Sequence, residues 1–181
     1  MQMRGYLTEG WPSCSLCLQQ GACFADLCGR LIVMNSREFE IASATFEKIR
    51  APFPTLTMNL DSHPAHVELA MDIPVQPGLP FKVWLDFQNG DELTLSASHF
   101  WYEWFPCTNQ KKVDEYLEAV LGLISGRFRI LEHWRGGRVV KSQLQSSRDN
   151  EWKSIATSTN ISGLIPWPPK KLRIVQNGST E

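Results

Sequence analysis

The sequence predicts an α+β domain: a single twisted antiparallel sheet of about six or seven strands with two helices packed on one face. Three observations carry that expectation. Two stretches, after Asn35 and after Asn109, repeat apolar residues at helical spacing. Short alternating segments separated by Gly, Pro and Asn turns lie between and after them. Neither an apolar helix stripe nor a one-sided sheet can hide alone, and the economical solution packs one on the other.

The first helix starts where Asn35, followed by Glu38, can form a capping box, and Phe39, Ala42, Phe46 and Ile49 recur on one face. Pro52 and Pro54 end it, because proline lacks the donor the next turn needs. Residues 66–75 alternate, with Val67, Leu69, Met71 and Ile73 against Glu68 and Asp72. Pro77-Gly78 turns the chain into a second strand carrying Phe81, Val83, Leu85 and Phe87 on one face. A two-residue Asn89-Gly90 loop would set apolar residues opposite polar ones across the next hairpin. A three-residue Gln88-Asn89-Gly90 loop with Gly90 left-handed instead sets Leu85 opposite Leu93 and Val83 opposite Leu95, and is the expected turn.

The third strand is expected to begin at Asp91 and run on through Phe105, closed by Pro106. A helix from about Asn109 to Ser125 follows, with Val113, Tyr116, Leu117, Val120, Leu121 and Ile124 as its stripe and Gly126 as a left-handed terminator. Strands near 127–135, 138–146 and 151–158 are joined by Gly136-Gly137 and by Arg148-Asp149-Asn150. Segment 160–170, with Pro166, Pro168 and Pro169, reads as a loop, and Lys171–Gln176 as a short final strand. Residues 34–177 therefore form one domain and 178–181 a frayed tail. Residues 1–33 show neither period; they read as a poorly structured extension, or as the product of an upstream start codon with translation beginning at Met34.

Composition narrows the function classes. A chain of 181 residues with 43% hydrophobic and 20% charged residues is an ordinary one-domain globular protein. Its formal net charge of −1 provides no basic field for general nucleic-acid binding. No apolar run approaches a membrane span, and Glu9, Trp11 and Pro12 stand where a signal peptide would need a basic start and an apolar core. The expected location is the cytoplasm.

Metal and cofactor signals are weak, and neither ligand is expected. Cys14-x-x-Cys17, with Cys23 and Cys28, invites a zinc reading, but five residues between the pairs is a short gap and no histidine lies nearby. His63 and His66 flank Pro64 at a strand entrance, which need not make them converge. Cys107 precedes a helix start, where a thiolate would be favoured, yet no histidine is fixed beside it. Arg135, Arg138 and Lys141 cluster at a hairpin tip, which is usually simply solvated.

The aromatic run carries the functional expectation. On one continuous strand, Trp101 falls on the parity of Leu93 and Leu95, while Phe100, Tyr102 and Trp104 fall on the other. Both faces would then be aromatic, which a bulge, a covering segment or a partner must explain. The leading expectation is a homodimeric binding module whose contact surface is Phe100, Trp101, Tyr102, Trp104 and Phe105. Its partner would be a second copy, a protein segment or a small apolar ligand. The alternative is a small cavity enzyme, a hydrolase or isomerase, in which His99, Glu103 and His133 perform acid–base work, with Glu132 beside His133.

Two resemblances follow from this organisation. With its leader-like residues 1–33 before a compact domain, the chain resembles the uncharacterised small proteins encoded by bacterial integron gene cassettes, which implies no activity. The element order helix, three strands, helix, two strands is similar to that of type III secretion chaperones. That likeness implies a small homodimer that binds an extended partner segment. The strands after Arg148 and the near-neutral charge depart from the chaperone pattern.

Overall fold

The computed structural model describes residues 36–148, 151–159 and 171–178. The leader with Cys14, Cys17, Cys23 and Cys28, the Asn35 cap, the Asp149-Asn150 turn, the proline-rich segment 160–170 and residues 179–181 lie outside them.

Helix α1 spans Arg37–Arg50 and buries Ala42, Thr45, Phe46 and Ile49. Its cap is Ser36, whose Oγ accepts a hydrogen bond from the Phe39 backbone N–H at 3.1 Å. That start puts Phe39, not Glu38, at the third helical position, so the reciprocal arm of a capping box is missing. Glu38 and Glu40 instead favour the positive helix end by charge.

The expected single sheet is two sheets. The first has five strands, β1 (Asn59–Asp61), β2 (Leu69–Ile73), β3 (Val83–Gln88), β4 (Glu92–Ala97) and β5 (Phe100–Trp104), in sequential antiparallel order. Helix α2 (Gln110–Ile124) follows it. The second sheet has four strands, β6 (Phe128–Arg135), β7 (Arg138–Arg148), β8 (Glu151–Thr159) and β9 (Lys171–Gln176), in the order β8-β7-β6-β9. After α2 the chain pairs β6 with β7 and β9, and β5 lies against β7 and β8 without a ladder. Among the described residues the element order is helix, five strands, helix, four strands.

The strand expected from Asp91 to Phe105 is a hairpin. Ser98 adopts φ +51°, a left-handed conformation, and folds β5 back on β4 so that Ala97 faces Phe100 and Leu93 faces Trp104. The fold-back inverts the parity argument. Phe100, Tyr102 and Trp104 now share a face with Leu93, Leu95 and Ala97, in rows such as Leu69–Phe87–Leu93–Trp104. The preceding turn is also adjusted. Asn89 and Gly90 both take positive φ, and the three loop residues are Asn89, Gly90 and Asp91. Leu85 therefore faces Leu95, two residues from the expected register, with the apolar parity kept.

Both helices pack on this inner face. Phe39 meets Phe87 edge-on at 6.4 Å, and Tyr116 meets Trp104 at 5.4 Å. Helix α2 also serves the second sheet: a Cβ placed on Gly122 would stand 2.6 Å from the Phe128 ring. Being covered on two sides explains why Ala119 and Leu123 are buried besides the expected stripe, while Leu117 and Leu121 are only half-buried. Asn109 caps α2 by accepting from the Lys111 N–H, and Gly126 terminates it at φ +78°.

Candidate functional site

The Ser98-His99 turn is held by a carboxylate from the other sheet. Glu132 of β6 has a fully buried side chain. Its Oε1 accepts from the Ser98 hydroxyl at 2.7 Å, the His99 backbone N–H at 3.3 Å and the His99 Nδ1–H at 3.0 Å. Its Oε2 accepts from the Trp134 indole at 3.0 Å, and the His99 and Trp134 rings meet edge-on at 5.1 Å. Ser142 closes the joint by donating to the His99 carbonyl at 2.9 Å. Burial pushes the Glu132 pKa up, but the bonds from Ser98, His99 and Trp134, together with the His99 charge, outweigh it and hold the carboxyl below its usual range.

The outer face of the first sheet is the opposite case. Cross-strand pairing sets Trp84, Ser96 and Trp101 in one row and Asp86, Thr94 and Glu103 in the next. Small Ser96 leaves a gap between the two indoles, and Trp101 is 48% exposed. Beside that gap, Phe81, Lys82, Trp84 and Ser96–Ser98 line an open groove of about 490 Å³. Lys82 bridges to Asp72 at 2.8 Å and lies 5.5 Å from the Trp84 ring centre. Asp86, only 6% exposed, accepts from the Trp84 indole at Oδ2, at 2.9 Å, and stands across the ladder from Thr94. Its Oδ1 and the Thr94 Oγ1 are both closed to solvent and have no hydrogen-bond partner among the described residues. Burial raises its pKa and the Glu92 charge adds to that; the Trp84 indole and the nearby Thr94 hydroxyl only partly offset the rise.

The predicted site residues scatter across these environments. Phe100 and Trp104 are buried in the chain's own core, Tyr102 is half-buried on the same face, and Trp101 and Phe105 remain exposed. Of the acid–base trio, His99 meets Glu132 and not Glu103, which stands on the outer face of the first sheet. His133 faces the other side of β6 from Glu132, and its Nε2 pairs with the Gln143 side chain at 2.9 Å. Cys107 is buried, and desolvation, aided by the charges of Glu38 and Asp91, pushes its thiol up to about 11, so it carries no thiolate at neutral pH. His63 bonds only to its neighbours Ser62 and Asp61. Among the described residues no group of three or more His, Cys, Asp or Glu is placed to hold a metal ion, and no helix is long and apolar enough to cross a membrane.

Sequence reasoning passed over Trp84 and Asp86. One signal was available: Trp84 lies on the polar parity of β3, an aromatic side chain on a face that alternation assigns to solvent.

Against known proteins, the chain matches no family model, no curated protein and no solved structure.

Proposed function

We propose that the protein works by binding, not by bond chemistry, and does so as a homodimer. Its contact face is the outer side of the five-stranded sheet around Trp84 and Trp101. The observation that carries this reading is the row Trp84–Ser96–Trp101 on the outer face, with Trp101 48% exposed. Aromatic anchors around a small residue are the usual centre of a contact surface. Two shared indoles would contribute several kcal/mol, at about 25 cal/mol per Å², before the costs of association. The acid–base alternative keeps only the His99–Glu132 pair, because Glu103 and His133 lie on other faces.

The test is Trp84→Ser combined with Trp101→Ser, read by sedimentation and circular dichroism. The expected result is a wild-type dimer at tens of micromolar and a folded, monomeric variant. A wild-type monomer at every concentration, or a variant that still dimerises, overturns the homodimer. If the variant unfolds, Trp101→Lys alone, at a half-exposed position, must separate the subunits.

A further inference from the structure

Strand pairing gathers positive charge at one end of the second sheet. Arg135 faces Arg138 across the Gly136-Gly137 turn, and Lys141 faces His133. On the other side of β6, Lys171 of β9 faces Trp134, and Arg173 faces Glu132. Arg138, Lys141, Lys171 and Arg173 join no salt bridge among the described residues. Glu132, the carboxylate within this group, has both oxygens occupied by Ser98, His99 and Trp134. A chain with a net charge of −1 thus carries four cations, Arg138, Lys141, Lys171 and Arg173, without an ion pair among the described residues at this end of the sheet.

At this end a groove of about 570 Å³ is lined by Trp134, Arg135, Gly136, Gly137, Lys171, Leu172 and Arg173. That volume lies within the range of roughly 300–1,000 Å³ typical of small-molecule sites. The Trp134 ring is fixed in advance by its hydrogen bond to Glu132 and its contact with His99. A wall held in place loses no rotamer freedom when a ligand stacks on it. Lys171 and Arg173, two residues apart on β9, project to the same side as Trp134.

We infer that this groove binds an organic phosphate ester bearing a planar ring, of mononucleotide size. The ring packs on Trp134 and the phosphate is held by Lys171 and Arg173. Guanidinium and ammonium groups suit a phosphate dianion, the first by paired N–H donors and the second as a point charge. The groove is separate from the tryptophan row of the first sheet, so its occupancy does not depend on dimer formation.

Titration calorimetry on the full chain tests this, with AMP, adenosine, ribose 5-phosphate and a ten-residue oligothymidylate as probes. AMP is expected to saturate with Kd below about 1 mM, and adenosine and ribose 5-phosphate to bind at least about ten-fold more weakly. Lys171→Gln with Arg173→Gln, both exposed positions, is expected to weaken AMP about ten-fold or more with an unchanged melting temperature. The charge-keeping pair Lys171→Arg and Arg173→Lys should retain most of the affinity. Absence of saturation at about 10 mM AMP, or equal affinity in the Gln variant, overturns the inference. Tight oligothymidylate binding without AMP binding also overturns it, and assigns the surface to a polymer.

Discussion

Glu132 and Asp86 are both carboxylates on strands, both buried, and both bonded to an indole two residues away on the same strand. They differ in what else surrounds them. Glu132 faces inward, where Ser98 and His99 supply three further hydrogen bonds, and its pKa falls. Asp86 faces outward, where burial and the Glu92 charge outweigh Thr94 and Trp84, and its pKa rises. The first carboxylate is fully compensated by its own chain, the second only in part. Burial alone therefore does not fix the direction of a carboxylate's shift; the number of donors around it does.

The largest effect expected from that contrast is at the joint. Glu132→Ala should destabilise the fold by about 1–3 kcal/mol, because Ser98, His99 and Trp134 all lose the buried acceptor that joins them. Urea denaturation at pH 7 measures it, and a loss under about 1 kcal/mol would mean the joint holds nothing together.

A smaller effect concerns pH. Since the folded pKa of Glu132 lies below its unfolded value, its stabilisation is present above the unfolded pKa near 4.5 and is lost as pH falls through the folded value. Asp86 has the opposite sign. Its folded pKa is raised, so the folded state takes up that proton first and this group's destabilising contribution fades as pH falls through the folded value. Glu132→Gln should flatten the acid limb of the stability curve, whereas Asp86→Asn should leave that limb in place. Identical acid limbs in the two variants would erase the distinction.

The smallest effect is Asp86→Asn at neutral pH, expected to stabilise the isolated subunit by up to about 1 kcal/mol with association unchanged. Thermal melts at low and high protein concentration separate the two contributions. A destabilised subunit would show that the Asp86 charge is already compensated.

Local physics made much of this fold legible. The Val113–Ile124 periodicity with Asn109 and Gly126 at its ends located α2, and alternation located β6 to β9 nearly to the residue. What escaped depended on distant contacts. Nothing around Ser98 advertises a turn, since neither Gly nor Pro is there; Glu132, thirty-four residues away, holds it. With the turn missed, Phe100 and Trp104 looked like surplus surface when they are core. Strand β1, three exposed residues paired only to β2, has no period to read. The division into two sheets is equally nonlocal, because alternation tells which face a residue takes and not which strand lies beside it.

Asn177, just beyond β9, donates from its side-chain amide to the Gly78 carbonyl at 2.7 Å and the Ile124 carbonyl at 2.5 Å. One amide thereby ties the loop between β2 and β3, the tail of α2 and the strand beside β6. Synthesis lays down β6 well before β9 and Asn177, so a nascent chain carries an unpaired β6 edge with Ile130 and Leu131 beside it. Such an edge is a template for pairing between chains, and the speed with which β9 docks sets how long each new molecule stays vulnerable to clumping.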